Sequence, residues 1–403
     1  MTQTLIDPAE TARHPLIAGL SRNVVLLAAV SFFADVSSEM VYPIVPLFLT
    51  GTLGAPALAV GVIEGVAEST ASLLKFVFGW LSDKFRRRVP FTMAGYALAA
   101  AAKPALAAAF AWPAVLFARA LDRAGKGIRT APRDALIAAS TDASSRGRAF
   151  GFHRAMDTSG AVLGPLIAIA LLAWLGDGYR PIFLIAFIPG VLSLLALFAV
   201  REVVNPAPRE KLPPLLSFRG YDRRFLVFVG ITLLFSIGNS SDAFLILRSR
   251  DLGLSAVAVV FAYVLYNVSY AALSLPAGAY SDRIGRRPLL ISGLVIFALV
   301  YLGFALATSS WMVWPLFLVY GGYIAFTEGV GRAYVADLVP DERRGSAMGL
   351  YNASTGVMLL LSSIIGGALW DVFGPAATFL VGAASSSAAA LLLLTLSRGS
   401  PRA

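Results

Sequence analysis

The sequence predicts an all-α polytopic membrane protein of twelve transmembrane helices in two pseudo-symmetric six-helix bundles. Three observations carry that prediction. Of 403 residues, 58% are hydrophobic and only 14% charged, with a mean hydropathy of +0.75, whereas soluble chains carry roughly 25% charged residues. The apolar residues fall in long runs; a helix needs roughly 20 of them to cross the hydrocarbon core, and only helices or closed barrels satisfy their backbone groups there. The runs are too long for barrel strands and do not alternate with period two. Finally, the second half of the chain repeats landmarks of the first.

Taken in order, the spans are 24–49, which holds Asp35 and Glu39, and 57–80, which holds Glu64, Glu68 and Lys75. The third, 89–110, is separated by a tight Ala-Trp-Pro turn from the charged fourth, 113–138. Then come 150–174, with a Gly-Pro step, and 181–200. The second half gives 225–248 with Asp242, 256–279 with Asn267, and 289–308. It continues with 312–336, holding Glu328 and Arg332, then 346–369 with Asn352, and 376–396, whose SSSAAALLLL stretch packs closely. Short basic clusters, such as Lys84 to Arg88, Arg146 with Arg148, and Arg283 to Arg287, recur on one side of this series. Basic loops stay in the cytoplasm, so both termini are expected there, in a multi-pass protein of the cytoplasmic (inner) membrane. The expected domains are a cytoplasmic tail at 1–22, a bundle at 23–200, a Pro-rich basic linker at 201–224, a bundle at 225–396 and a tail at 397–403.

Composition also excludes functions. The net charge of +10 is spread over short loops, which is a topology signal and not a nucleic-acid surface. With no cysteine and only His14 and His153, no thiolate or multi-histidine metal site is expected, and disulfides are impossible. Residues 1–22 lack the continuous apolar core of a signal peptide. There is no nucleotide-binding loop and no nucleophile–His–acid set, so no enzyme and no cofactor are expected.

The repeat is specific. GWLSDKFRRR at 79–88 pairs with GAYSDRIGRR at 278–287, with Asp83 and Asp282 offset by 199 residues. RGRAFG at 146–151 pairs with RGSAMG at 344–349, Arg133 with Arg332, and SSE at 37–39 echoes SSD at 240–242. Twelve spans, a basic central linker and this duplicated G-x-x-x-D-[KR]-x-x-R-R loop resemble the major facilitator superfamily, over essentially the whole chain. The resemblance implies that Gly79, Asp83, Arg87 and Arg88, with Gly278, Asp282, Arg286 and Arg287, form two gate motifs. In each, the Asp holds nearby Arg residues and helix ends in one gate conformation, consistent with rocking of one domain against another. The mid-loop Gly of that motif stands as Gly285 in the second half and is replaced by Arg86 in the first. GAVLGPLIA at 160–168 resembles the antiporter motif of exporters at Gly160, Gly164 and Pro165, with Ala168 and Ile169 in place of its last glycines.

The fourth span, with LFARALDRAGKGIRTAPRDALIA at 116–138, sets charge where a membrane helix belongs. Arg119, Asp122, Arg123, Lys126, Arg129 and Arg133 recur at three-to-four-residue spacing and share one side of a helix. Each charge at bilayer depth costs about 2.5–3.5 kcal/mol on insertion scales, so that side must meet acids or a wet cavity. Asp35 with Glu39, and Glu64 with Glu68, are the expected acidic wall, and Asp242 and Glu328 the acids of the second half. Arg129, Arg133 and Asp134 belong near the cytoplasmic end, and Asp157 is expected beside Arg154 or His153. In the resembled family an Arg of the fourth span, matched by Arg119, faces the cavity and is linked to proton transfer in drug antiporters. The Gly expected four residues later is displaced to Gly125 and Gly127, so Arg123 and Lys126, closer to the midplane, are alternatives to Arg119 for that role. Phe32, Phe33, Tyr42, Tyr263, Tyr266 and Tyr270 are candidate cavity or packing aromatics.

The resemblance implies a secondary transporter, similar to bacterial proton-coupled drug and metabolite antiporters. The leading expectation is proton-coupled export of a small organic compound by alternating access. The alternatives are export of a metal ion or chelate and uptake of an organic anion; sodium coupling would use the same acids. The tail LSRGSPRA lacks the His-rich character of nickel exporters, which favours a chelate or organic cargo over a bare soft metal. A lipid bilayer, a small-molecule substrate and protons are the expected partners, and one chain suffices as a monomer.

Overall fold

The computed structural model describes residues 20–85, 87–142, 145–176, 178–203, 221–340 and 343–395. The expected tail at 1–22 and linker at 201–224 fall mostly outside these residues, and the tail at 397–403 does so entirely. The described chain is a series of long helices, which we number α1 to α13. Nine helical stretches among the described residues are long and apolar enough to cross a membrane. The protein is a multi-pass membrane protein of the all-helical, twelve-span class.

Two compact units emerge. The first contains residues up to Gly54 and from Val66 to Leu215; the second contains Ala55–Gly65 and everything from Leu216 onward. In the first, α1 (Arg22–Val41) starts at Ser21, whose hydroxyl accepts the Val24 N–H. Pro43 and Pro46 lack the N–H that would continue it, and the chain leaves α1 through a turn, a short helical turn at Val45–Leu47 and a π-helical stretch at Phe48–Thr52. Then follow α2 (Ala57–Phe85), α3 (Val89–Ala107), α4 (Trp112–Ala139), α5 (Arg146–Leu175) and α6 (Tyr179–Leu197). Helix α1 packs on α5 and α6, and α3 on α4 and α6. Leu27, Val30, Tyr96, Leu136, Ile137 and Leu197 are among the side chains of the buried core they share.

The start of α3 shows how exposed helix termini are handled at the membrane edge. The first backbone N–H groups of a helix have no partner within it. The Glu202 carboxylate, just past α6, accepts the Arg88 N–H at 2.9 Å and the Val89 N–H at 2.8 Å. At the first turn of α2, Asp371 of the second unit does the same for Ala57 and Leu58, at 3.0 and 2.8 Å. These two N–H groups belong to the stretch of α2 that clusters with the second unit.

The second unit holds α7 (Arg223–Ser236), α8 (Ala243–Asp251), α9 (Ala256–Ile284), α10 (Arg286–Leu306), α11 (Val313–Asp337), α12 (Arg344–Phe373) and α13 (Pro375–Thr395). Its pairings, α7 on α12 and α13, α10 on α11 and α13, mirror those of α1 and α3. The internal repeat is thus a repeat of packing as well as of motifs.

The seventh span departs from expectation. A continuous helix was expected over 225–248, but the helix is broken between Ser236 and Ala243. The stretch Ile237-Gly-Asn-Ser-Ser-Asp242 explains it: glycine loses most backbone entropy in a helix, and Asn, Ser and Asp side chains compete for backbone groups. Backbone freed at membrane depth must be bonded elsewhere. Ser363 on α12 accepts the Ser241 N–H at 3.2 Å, Ser362 donates to the Asn239 carbonyl at 3.0 Å, and the Ser241 hydroxyl accepts the Ala243 N–H at 3.2 Å. Glu202→Ala is expected to destabilise the protein by about 1–2 kcal/mol, the cost of a lost helix cap, read as a lower unfolding midpoint in detergent, with Glu202→Gln retaining part of the loss-free behaviour.

Candidate functional site

The charges of α4 do not form a single wall. They fan toward different neighbours. Arg119, Asp122, Arg123 and Arg129 are each at most 4% exposed, while Lys126 is exposed. Asp122 meets Lys103 of α3, with Nζ 2.6 Å from Oδ1, and Arg119, with Nη1 3.5 Å from Oδ2. Lys103 also donates to Ser38 of α1 at 3.3 Å. Arg123 instead turns to α2, its Nε 2.9 Å from Glu68 Oε1. The Tyr42 ring lies 5.5 Å from both guanidinium groups. Lys103 was not anticipated; its signal was a single Lys inside the apolar run AAAAKPALAAAF.

Further along α4, Arg133 ties three helices together. It donates to Asp134 at 2.9 and 3.0 Å and to Ser31 of α1 at 3.1 Å, and its Nη1 lies 4.0 Å from Asp157 of α5. Ser31 contacts His153 at 2.8 Å and the Tyr96 hydroxyl at 3.1 Å. The Arg129 guanidinium stacks 4.3 Å above the Tyr96 ring. Arg154 joins Asp157 at 3.6 Å. The expected Asp157–Arg154 contact is therefore present, and Asp157 also lies beside the Asp35 carboxyl of α1.

Close helix approach makes that carboxyl pair possible. Gly160 and Gly164 of α5 lie directly on α1. A Cβ at Gly160 would sit 3.1 Å from the Asp35 Cβ; one at Gly164 would sit 2.7 Å from the Val36 carbonyl oxygen and 3.0 Å from the Glu39 Cβ. The Gly-Pro stretch thus brings α5 onto the acid-bearing face of α1, with Pro165 beside it inside the helix. Glu39 is half-buried. Glu64 is buried, on the portion of α2 assigned to the second unit.

In the second unit, Asp242 precedes α8 and accepts the Tyr320 hydroxyl at 2.6 Å. Glu328 is bonded by the Tyr270 hydroxyl and by Arg332, both at 2.8 Å. At the loop motif, Arg286 pairs with Asp282, reaches Asp337 at 3.4 Å and donates to Ser281 at 2.5 Å. Arg287 donates to the Leu393 and Leu394 carbonyls at the end of α13, at 2.7 and 2.6 Å. Gly285 adopts φ +92° in this turn, after Gly278 on α9. In the first-half motif Gly79 lies on α2, Arg88 reaches the Ala135 carbonyl at 3.1 Å, and Arg87 is exposed. Arg86 and the Asp83 side chain lie outside the described structure. Among the described residues, no three His, Cys, Asp or Glu side chains gather as metal ligands.

The Lys103–Asp122 pair is 2% and 5% exposed, so removing one partner strands a charge. Lys103→Met is expected to cost about 3–5 kcal/mol. The double variant Lys103→Met/Asp122→Leu is expected to recover only part of that loss, because Asp122 also pairs with the buried Arg119, measured by thermal unfolding in detergent.

The comparisons with known proteins agree with this architecture. The family model described as Major Facilitator Superfamily matches residues 27–247 and 225–403. An uncharacterized MFS-type transporter of Methanocaldococcus jannaschii is 36% identical over 370 residues, covering 90% of this chain and 92% of the relative. The class C tetracycline resistance protein of Escherichia coli is 27% identical over 379 residues, covering 90% and 93%. The multidrug resistance protein MdtH of Aeromonas hydrophila subsp. hydrophila is 27% identical over 355 residues, covering 86% and 85%. Among solved structures, a POT family transporter in complex with 5-aminolevulinic acid superposes with a TM-score of 0.80 at 13% identity, covering 96% of this chain and 98% of that one. The nucleoside transporter NupG gives 0.72 at 14% identity, covering 93% and 98%; at these identities the likeness shows the fold alone. The duplicated loop motif, the twelve-span helical fold and these matches together place the chain in the Major Facilitator Superfamily, as a membrane transporter and not an enzyme.

Proposed function

We propose that the protein exports a small organic compound in exchange for protons, by alternating access of its two halves. The observation that carries this is the Asp35–Asp157 carboxyl pair on the α1–α5 seam. Two carboxyl groups side by side at membrane depth cannot both ionise cheaply, so in this reading one of them keeps its proton. Loss of that proton leaves two negative charges in contact, with Arg133 already 4.0 Å from Asp157. Proton release would therefore draw Arg133 from Asp134 toward Asp157 and push α1 against α5 at the point where Gly160 and Gly164 hold them closest. The site has the parts of a switch: a proton, a mobile cation and a tightly packed seam.

Glu39, one turn beyond Asp35, and Glu68, paired with Arg123, are the next carboxylates in the proposed proton path, with Glu64 beyond. Export is favoured by the Gly-Pro stretch and by relatives named for tetracycline and multidrug resistance. An organic-anion uptake site is less favoured. Arg119 and Arg123 already face Asp122 and Glu68, so these two cations of the basic helix are met by acids from within. The basic loops support placement in the cytoplasmic membrane with both termini inside. One chain carries both halves, so a monomer is sufficient.

The test is cargo-driven proton movement in proteoliposomes carrying an internal pH dye. Lipophilic cations, carboxylates and metal–citrate chelates would be screened on wild type, Asp35→Asn, Asp157→Asn and Glu39→Gln. One cargo class is expected to drive proton flux, which falls to background in Asp35→Asn while the unfolding midpoint is kept. Transport that persists unchanged in all three variants and ignores the proton gradient would make the acid–base network a scaffold and end the coupling proposal.

A further inference from the structure

Arg129 of α4 is a buried cation that the proton-exchange reading has not used. It is 4% exposed, and its guanidinium lies 4.3 Å above the Tyr96 ring of α3. Among the described residues no carboxylate pairs with it, and its Nε and Nη1 have no hydrogen-bond partner. A guanidinium stays charged at any pH a protein meets, and a buried charge without an opposite charge is costly. The root of the side chain is fixed, because α3 and α4 touch at this level: a Cβ at Gly95 would lie 2.7 Å from the Arg129 Cβ.

The register of α1 against α4 says which acid Arg129 can reach. Arg133 donates to Ser31 at 3.1 Å. Further along α1, Lys103 bridges Ser38 at 3.3 Å and Asp122 at 2.6 Å. Numbers rise along α1 as they fall along α4, so the two helices run antiparallel. Residues four apart on a helix share a face. One turn from the Ser31–Arg133 contact, Asp35 and Arg129 therefore stand at the same level. Tyr96 belongs to this layer too, since its hydroxyl contacts Ser31 at 3.1 Å. The acids nearby on α2, α4 and α5 are committed: Asp122 to Lys103 and Arg119, Glu68 to Arg123, Asp134 to Arg133, and Asp157 to Arg133 and Arg154. Asp35 makes no ion pair among the described residues, and Lys126 and Arg129 both lie close enough to act on it electrostatically.

We infer that Arg129 is the counter-cation of Asp35, receiving its carboxylate when the shared proton leaves, as Arg133 receives that of Asp157. This rests on the proton-exchange reading and adds a positioning residue to it. With the proton in place, Arg129 rests on the Tyr96 face, a neutral surface that attracts cations. When the proton passes to water in the transport path, each carboxylate has its own arginine. Lys126 is exposed, so water solvates it and it gains less from a carboxylate. The other charged or titratable groups on the helices packed around Asp35 are Glu39 on α1, His153 and Arg154 on α5, Lys103 on α3, and Asp134 on α4. Helix α6 adds only Tyr179 and Arg180, which meet Phe48 beyond the end of α1.

The experiment is infrared titration of the full-length protein in lipid, following the protonated-carboxyl band of wild type, Arg129→Met, Arg129→Lys and Lys126→Met. Removing a close cation favours the protonated acid. The band midpoint is therefore expected to move up by at least about one pH unit in Arg129→Met. It is expected to stay near wild type in Arg129→Lys and to move less in Lys126→Met. Thermal unfolding gives a second readout. Wild type is expected to be the more stable above the midpoint, where Arg129 meets a carboxylate, and Arg129→Met below it. A purely structural arginine would lower stability equally at both pH values and leave the band alone. Arg129→Gln gives the same reading where Arg129→Met does not fold. An unmoved midpoint in the neutral Arg129 variants, or a larger shift in Lys126→Met, would overturn the assignment and leave the proton-exchange reading standing. Absence of any titrating band in wild type would remove both.

Discussion

Charge inside a membrane is costly, and in this protein that constraint organises the first unit. Helix α4 carries Arg119, Asp122, Arg123, Arg129 and Arg133 within four turns, each costing about 2.5–3.5 kcal/mol at the bilayer centre unless compensated. The compensation comes from three directions. Lys103 and Asp122 lock α3 to α4, Glu68 and Arg123 lock α2 to α4, and Arg133 reaches Ser31 on α1 and Asp157 on α5. Each pairing is also a helix–helix restraint. The restraints at Lys103 and Glu68 are closed ion pairs. The one at Arg133 has alternatives, because Asp134 and Asp157 compete for the same guanidinium, and that competition separates a movable part from a fixed one.

The two units reuse one packing scheme for different chemistry. The pairings α1–α5 and α3–α4 recur as α7–α12 and α10–α11. Yet the first unit fills its interior with charges, and the second with tyrosines and a broken helix. Such an asymmetry suits an exchanger. The proposed proton site needs carboxyls that can meet each other and a cation. An organic cargo needs a surface to lie against, and aromatic rings supply area with little conformational freedom to lose.

Much of this was readable in the sequence. Hydropathy located the spans because apolar runs and basic loops are large signals, and α4 at Trp112–Ala139 nearly matches the run predicted from 113 to 138. At Gly160 and Gly164 of the Gly-Pro stretch, small residues let α5 approach α1 closely. What stayed hidden was tertiary. Asp157 was placed beside its sequence neighbours, whereas its decisive contact, with Asp35, exists only because α5 rests on α1. Lys103 leaves little trace in the sequence, because one charge hardly alters the hydropathy of an Ala-rich run. The break in the seventh span is hidden by the repeat: Ser240-Ser241-Asp242 echoes Ser37-Ser38-Glu39, which is helical and bonds through Ser37 to the Ala186 carbonyl at 2.7 Å. The difference lies just upstream: Ala34, Asp35 and Val36 sustain a helix where Gly238 and Asn239 do not.

The central claim is that Asp35 and Asp157 hold one proton between them and release it as the transporter cycles. Infrared difference spectroscopy of the protein in lipid, recorded between high and low pH, tests this directly through the carbonyl stretch of a protonated carboxyl group. A single protonated-carboxyl band that titrates, shifts on cargo addition and vanishes in both Asp35→Asn and Asp157→Asn is the expected result. A spectrum whose titrating band survives intact in both variants would contradict the claim and move the proton elsewhere in the molecule.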